Sequence, residues 1–438
     1  MHNRDLWPIL ANAGAVLVLA PHPDDECLGA AGLMKMAADA GQEVHVLMLT
    51  SGDGFVQDAQ RYYLSLSVSP EEYLHLGYER QKETISALTS LGVARDHIYF
   101  LGFPDGGVDA LYRTHWSTTF ESSTTTWSRV PYLEAAAGPL SYQGRWLWQS
   151  IRTLVQRIRP RVFVMPHPLD GHPDHWATHS FGRLAALGLE EHSEPLQDHA
   201  TVLTYLIHWP AWPMPLGLKT RLEQEPPAGL IQAERVWRQL RLTPPAIQAK
   251  QHTMTVYTSQ MELIKPYMLA FVRSTETFEE DGARLVVNRQ GRDPGSPDRG
   301  WPNETTVAFR APTEDLVTRM AKSPNVVESL EFSQSDGYGY LRLRWLRRRE
   351  PEEFSIVIRM HWPDGSAPWQ WCFDLSTSSV SGNAEAALTV KVDHSARELF
   401  ASWPLEIWQG RRWMMLGAEA LHDERVLGRS GYLPYHWS

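Results

Sequence analysis

Ala15-Val-Leu-Val-Leu-Ala20 runs apolar without a break into Pro21, and this short stretch constrains the fold more than any other part of the chain. An apolar run of this length, stopped by proline, reads as a strand buried on both faces, the habit of a parallel sheet. In open α/β sheets, ligands and catalytic groups gather beyond the carboxyl ends of such strands. Here the strand leads straight into His22-Pro-Asp-Asp-Glu26, one imidazole and three adjacent carboxylates. So many ionisable groups at the edge of a core are costly without compensation, and a bound divalent cation is the simplest compensator. A second segment repeats the arrangement. Arg161-Val-Phe-Val-Met165 is followed by Pro166-His-Pro-Leu-Asp-Gly-His-Pro-Asp-His-Trp-Ala-Thr-His179. Pro173 suits the first turn of a helix, where its missing N–H is not needed. Two strand ends of one sheet, each bearing His and Asp, can converge on one ion. Two His and a carboxylate with an open position for water form a known pattern for catalytic zinc.

The rest of the first two-thirds alternates strand and helix. Glu43–Leu49 is a strand ending in Thr50-Ser-Gly-Asp-Gly54, His97–Leu101 a strand ending in Gly102-Phe-Pro-Asp-Gly-Gly107, and Thr201–Ile207 a further strand. Helices are expected over Glu26–Ala40, Glu71–Leu91 (stopped by Gly92) and Trp146–Ile158. This alternation predicts an α/β domain, a mainly parallel, Rossmann-like sheet flanked by helices. At 438 residues the chain is longer than one core usually supports, so two domains are expected. A turn-rich stretch around Arg289–Gly300 marks a linker. Beyond it, period-two runs at Gly339–Trp345, Phe354–Trp362, Trp369–Leu375, Ala387–Val392 and Leu405–Trp408 predict a smaller antiparallel, sandwich-like β domain. The divisions are 1–285, a linker over 286–305, and 306–438. The tryptophans of the second domain read as core residues before they read as a sugar-binding surface.

A net charge of −10 argues against a general nucleic-acid or anionic-membrane binder, and Arg342–Arg349 reads as a solvated sheet face. Two distant cysteines, Cys27 and Cys372, imply no disulfide framework. No signal-peptide pattern or run of eighteen apolar residues occurs, so the protein is expected to be cytoplasmic with no integral membrane segment. The oligomeric state is not readable.

Taken together, Pro21-His-Pro-Asp-Asp-Glu26 and His172-Pro-Asp-His175 resemble the signatures of the PIG-L/LmbE-like family of zinc-dependent N-acetylglucosamine deacetylases. Weaker likenesses follow in order: the Thr50–Gly54 tip, Arg80-Gln-Lys-Glu83 and Phe103-Pro-Asp-Gly106. The resemblance covers roughly residues 13–280. It implies His22, Asp25 and His175 as ligands of Zn2+, or of another divalent transition metal. It implies Asp24 as general base toward the attacking water and His172 as oxyanion stabiliser or acid, with Asp174 orienting His172. Arg80 and Asp105 would lie near the sugar hydroxyls. Asp170 stands where some relatives have Tyr, and is expected to meet substrate hydroxyls.

Residue chemistry points the same way. An amide is a poor electrophile, and zinc lowers the pKa of water and polarises a carbonyl. A neighbouring carboxylate takes the proton, and a nearby imidazole, made cationic by its carboxylates, balances the oxyanion. Glu26 is the competing base, although at a helix start it also suits the dipole or a backbone cap. His167 and His179 read either as outer contacts of the site or as packing residues, His208 as a substrate contact or a packing residue, and Phe120–Trp127 as a loop over the site or a surface excursion. The reading is an N-deacetylase acting on a small amino-sugar conjugate, with the β domain serving selection, stability or assembly. Its alternatives are a metal-dependent amidase acting on another N-acyl amide, and a non-catalytic glycan-binding protein.

Overall fold

The computed structural model describes residues 5–190, 200–232, 235–282, 284–286, 288–289, 306–312, 326–335, 337–346, 354–383, 388–408, 411, 413–423 and 425–437. The chain divides into two compact units, Met1–Asp281 and Gly282–Ser438. Of the expected linker, Val286, Asn288 and Arg289 lie in strands that pair within the second unit, and 290–305 falls outside the described residues.

The first unit is built on seven strands: β1 (Ala15–Ala20), β2 (Glu43–Thr50), β3 (Ile98–Phe103), β4 (Val162–Pro166), β5 (Thr201–Tyr205), β6 (Val236–Arg241) and β7 (Thr275–Glu280). They lie in the order β3-β2-β1-β4-β5-β7-β6. The first five are parallel, and β7 runs antiparallel to both β5 and β6. The chain travels outward from β1 to β3 and then returns to β4 on the other side of β1. The tips of β1 and β4 therefore flank the point where the strand order reverses, where such sheets hold their ligands. Both His/Asp segments stand at that point. β1 is buried over Val16–Ala20 and β4 throughout, as strands covered by helices on both faces must be.

Helix Asp25–Asp39 leaves the β1 tip and breaks at Ala30, where φ is −145°. It lies close on β5, since a Cβ at Gly29 would collide with the Tyr205 ring. A buried ion pair fills the break. Glu276 accepts from the backbone N–H of Gly32 and Leu33, each at 2.8 Å. Lys250 donates to Leu28 O at 2.8 Å and to Glu276 at 2.6 Å. Helix Pro70–Ser90 opens on a capping box formed by Ser69 and Glu72, and carries Arg80 to the site. Sequence periodicity did not reveal β6 and β7.

The second unit contains two sheets. One runs through Thr306–Arg310, Val327–Ser335, Tyr338–Trp345, Glu398–Pro404 and Thr389–Asp393. The other runs through Ser379–Gly382, Trp369–Asp374, Ser355–His361, Trp413–His422, Leu433–Trp437 and Arg284–Val286. Pairing is antiparallel except for Arg284–Val286 and Asn288–Arg289, which lie parallel to their neighbours. Trp371 faces Trp403 at 5.4 Å and Phe332 faces Tyr435 at 6.2 Å across the two sheets, all four side chains buried, so these aromatics form a sandwich core. One expected strand is corrected: Leu405–Trp408 is a 3₁₀ turn. The strand precedes it at Glu398–Pro404, where Leu399, Ala401 and Trp403 alternate inward before Pro404 removes a donor. Among the described residues, no helix is long and apolar enough to cross a membrane.

Candidate active site

The β1 and β4 tips bring His22, Asp25 and His175 into contact. Asp25 Oδ2 lies 3.0 Å from His22 Nδ1 and 3.1 Å from His175 Nε2, with all three residues buried. Burial pushes the Asp25 carboxyl up, but the facing His175 and His22 hold it well below the usual range. Burial opposes charge on His175 too, yet Asp25 and Asp170 raise it to about 10. Among the described residues, neither ring nitrogen of the fully buried His175 makes a well-aligned hydrogen bond. Two imidazoles and a carboxylate converge there with one imidazole unsatisfied, a donor set that fits a divalent transition metal. Three overlapping groups are close enough to hold an ion: His22/His172/His175, Asp25/His175/His208 and His22/Asp105/Asp174.

Asp24 sits before the helix with φ 114°, a conformation that few residues other than Gly, Asn and Asp adopt and that costs about 1–3 kcal/mol. Three contacts hold it there. Its N–H donates to Glu26 Oε2 at 3.1 Å, and Arg80 donates to Pro23 O at 2.7 Å and to Gly52 O at 2.9 Å. A Cβ at Gly52 would collide with that guanidinium, so glycine is required at this close approach. The Arg80 guanidinium is 3.9 Å from the Asp24 carboxylate and buried. This places Arg80 behind the Asp24 turn, its guanidinium held by backbone carbonyls. Glu26 is fully buried, hydrogen-bonded by Tyr257 Oη, and pushed by burial to about 7. It supports the Asp24 backbone, the capping alternative for this residue. Cys27 is buried, and burial raises its thiol well above the usual range, which makes it inert.

Two other expectations are redirected. Asp170 is fully buried, accepting from Ile207 N at 2.9 Å, His208 N at 3.0 Å and His172 N at 3.0 Å, and its Oδ2 lies 3.4 Å from His175 Nδ1. It faces the back of His175. The Asp174 carboxylate turns away from His172 and accepts from Gly106 N at 2.7 Å and Val108 N at 3.0 Å. Among the described residues, His172 takes the Asp174 backbone N–H at 3.2 Å on Nδ1, which puts its ring proton on Nε2. A cationic His172 was expected; burial, His22 and His175 push it down to about 4, so the ring is neutral at pH 7.

His208 joins the cluster, its ring 4.6 Å from His175 and 5.2 Å from His172. His167 and His179 take the packing alternative, buried and paired with Glu279 at 2.7 Å and Asp281 at 3.2 Å. From the Phe120–Trp127 segment, Phe120 packs on Gly107 beside the β3 tip. Tyr257, Lys250 and Glu276 went unread in the sequence, because no local pattern ties them to a motif more than two hundred residues away.

At the β2 tip, burial and then Asp105 raise the Asp53 carboxyl to about 7, while Tyr132 Oη donates to it at 2.6 Å. The folded state therefore holds a proton that the unfolded chain releases near pH 4. This contribution is full below pH 4 and is lost as pH rises to 7, at most about 4 kcal/mol. Asp53→Asn is expected to flatten that loss. Urea unfolding at pH 5 and pH 7.5 reads it, and an unchanged pH slope would refute the assignment.

Residues 17–186 match the family PIG-L, described as GlcNAc-PI de-N-acetylase. The matched stretch lies within the first unit. The 1D-myo-inositol 2-acetamido-2-deoxy-alpha-D-glucopyranoside deacetylase of Corynebacterium urealyticum is 25% identical over 288 residues, covering 64% of this chain and 76% of that protein. The diacetylchitobiose deacetylase of Thermococcus kodakarensis is 28% identical over 163 residues, covering 36% of this chain and 44% of that protein. Among solved structures, N,N'-diacetylchitobiose deacetylase from Pyrococcus horikoshii aligns at TM-score 0.39 and 19% identity, over 63% of this chain and 86% of that one. The PIG-L match begins within β1 and ends within the helix Pro173–Glu190, so it spans both His/Asp segments.

Proposed function

We propose that this protein is a zinc-dependent hydrolase that removes the N-acetyl group from an N-acetylated amino sugar or its conjugate. The observation that carries the reading is the meeting of His22, Asp25 and His175 at the strand-order reversal of a PIG-L domain, with Asp24 and His172 beside them. His22, Asp25 and His175 would hold the metal, which when bound supplies a water acidified toward neutral pH and a polarised carbonyl. Asp24 accepts the proton of the attacking water. His172, neutral with its proton on Nε2, donates a hydrogen bond to the developing oxyanion, and the proton taken up by Asp24 passes on to the departing amine. Asp105, with one oxygen on Gly54 N at 2.8 Å, stands at the β3 tip on the same rim.

The test is acetate release from N-acetylglucosamine conjugates with nucleotide, lipid, thiol and glycoside carriers. Metal-stripped protein is compared with protein reloaded with zinc. Release that returns with zinc is expected, and the panel ranks the carriers. No release from any carrier, with zinc bound and the fold intact, would overturn the reading in favour of another N-acyl amide or a binding role.

A further inference from the structure

We infer that Asp174, assisted by Asp105, is the positioning residue of the metal ligand His22 and not the partner of His172; the inference rests on the metal site proposed above. The two nitrogens of His22 face different neighbours. Nδ1 lies 3.0 Å from Asp25 Oδ2, the same oxygen that His175 Nε2 approaches at 3.1 Å, so this edge faces the ligand set. Nε2 points the other way, 3.1 Å from Asp174 Oδ2 and 3.2 Å from Asp105 Oδ1. An imidazole that gives one lone pair to a cation carries its proton on the other nitrogen. A carboxylate there fixes the tautomer and ring plane and makes the ligand more basic.

Asp174 is held for that task. It is fully buried, and the N–H groups of Gly106 and Val108 each take one of its oxygens, so the carboxylate cannot swing to His172. His172 depends on residue 174 only for a backbone N–H, which any residue except proline would supply. Asp105 is fixed in the same way by Gly54 N at 2.8 Å. The two carboxylates thus fasten the tips of β2 and β3 to the back of a ligand that belongs to β1. One arrangement competes. His22, Asp105 and Asp174 are themselves close enough to take a cation on the Nε2 edge, and the test separates the two.

Zinc affinity of the full chain is measured by competition with a chromophoric chelator, for wild type and for Asp174→Asn, Asp105→Asn, His172→Ala and His175→Ala, with thermal melts as a check on folding. Asp174→Asn and Asp105→Asn are expected to weaken zinc binding about 10–100-fold. His172→Ala should leave it unchanged, and His175→Ala should abolish it. Equal affinity in wild type and Asp174→Asn would overturn the inference. So would zinc retained by His175→Ala but lost from Asp174→Asn, which puts the cation on the Nε2 edge. A wild type that binds no zinc removes the metal reading, and the inference with it. If Asp174→Asn does not fold, Asp105→Asn decides by the same criterion.

Discussion

Asp24→Asn is expected to lower the rate of acetate release at saturating substrate by about 10²–10⁴-fold while leaving zinc affinity close to wild type. The carboxylate is the only group that changes. Asparagine has the same shape and, like aspartate, tolerates positive φ, so the turn at 114° persists where alanine would add strain. The contacts holding that turn come from Glu26 and Arg80 and run to backbone atoms, so they survive the substitution. Burial and the adjacent Asp25 push the Asp24 carboxyl well above the usual range, so this side chain already favours taking up a proton. Zinc binding and turnover are measured on the same preparation. A variant that still turns over within a few-fold of wild type would rule Asp24 out as the base. Glu26 is a poor substitute, since its carboxylate is occupied by Tyr257 Oη and Asp24 N.

Glu276→Gln is expected to destabilise the first unit by about 3–5 kcal/mol, because it leaves the Lys250 ammonium buried without its countercharge. The same carboxylate also closes the break in helix Asp25–Asp39, which places the loss at the upper end of that range. Gln offers one acceptor oxygen where Gly32 N, Leu33 N and Lys250 Nζ all donate. At about 2–4 °C per kcal/mol for a unit of this size, the midpoint should fall by roughly 10 °C. The double variant Glu276→Gln/Lys250→Met should regain part of that stability, since removing both charges is far less costly than orphaning one. A melting temperature within about 2 °C of wild type for the single variant would show that the pair carries little of the fold.

The sheet centre was legible because β1, β2, β3 and β4 are apolar runs, and parallel strands with both faces buried must be apolar. The members of the cluster were legible because the β1 and β4 tips carry their His and Asp residues within a few positions of the strand. The directions of those residues were not legible. Whether the Asp174 carboxylate points to His172 or to His22 depends on two N–H groups of a distant loop. Asp170 sits as close in sequence to the motif as a substrate contact would, yet the backbone of 207–208 encloses it. The strands β6 and β7 were hidden for another reason. Thr275-Glu-Thr-Phe-Glu-Glu280 reads as a polar surface segment, but Glu276 and Glu279 are buried against Lys250, Arg235 and His167. Burial of this kind depends on remote partners, and periodicity within the segment carries no trace of it.

The helix break at Ala30 also bears on how the protein can be cut for expression. A fragment ending at Glu190 would retain His22, Asp24, Asp25, His172, Asp174 and His175. It would lack Tyr257, Lys250 and Glu276, leaving Glu26 without its hydroxyl partner and three backbone groups of helix Asp25–Asp39 without theirs. The shared motif region is thus shorter than the unit able to keep it in shape. Shortened versions, libraries and domain grafts should be cut after Asp281, where the first compact unit closes.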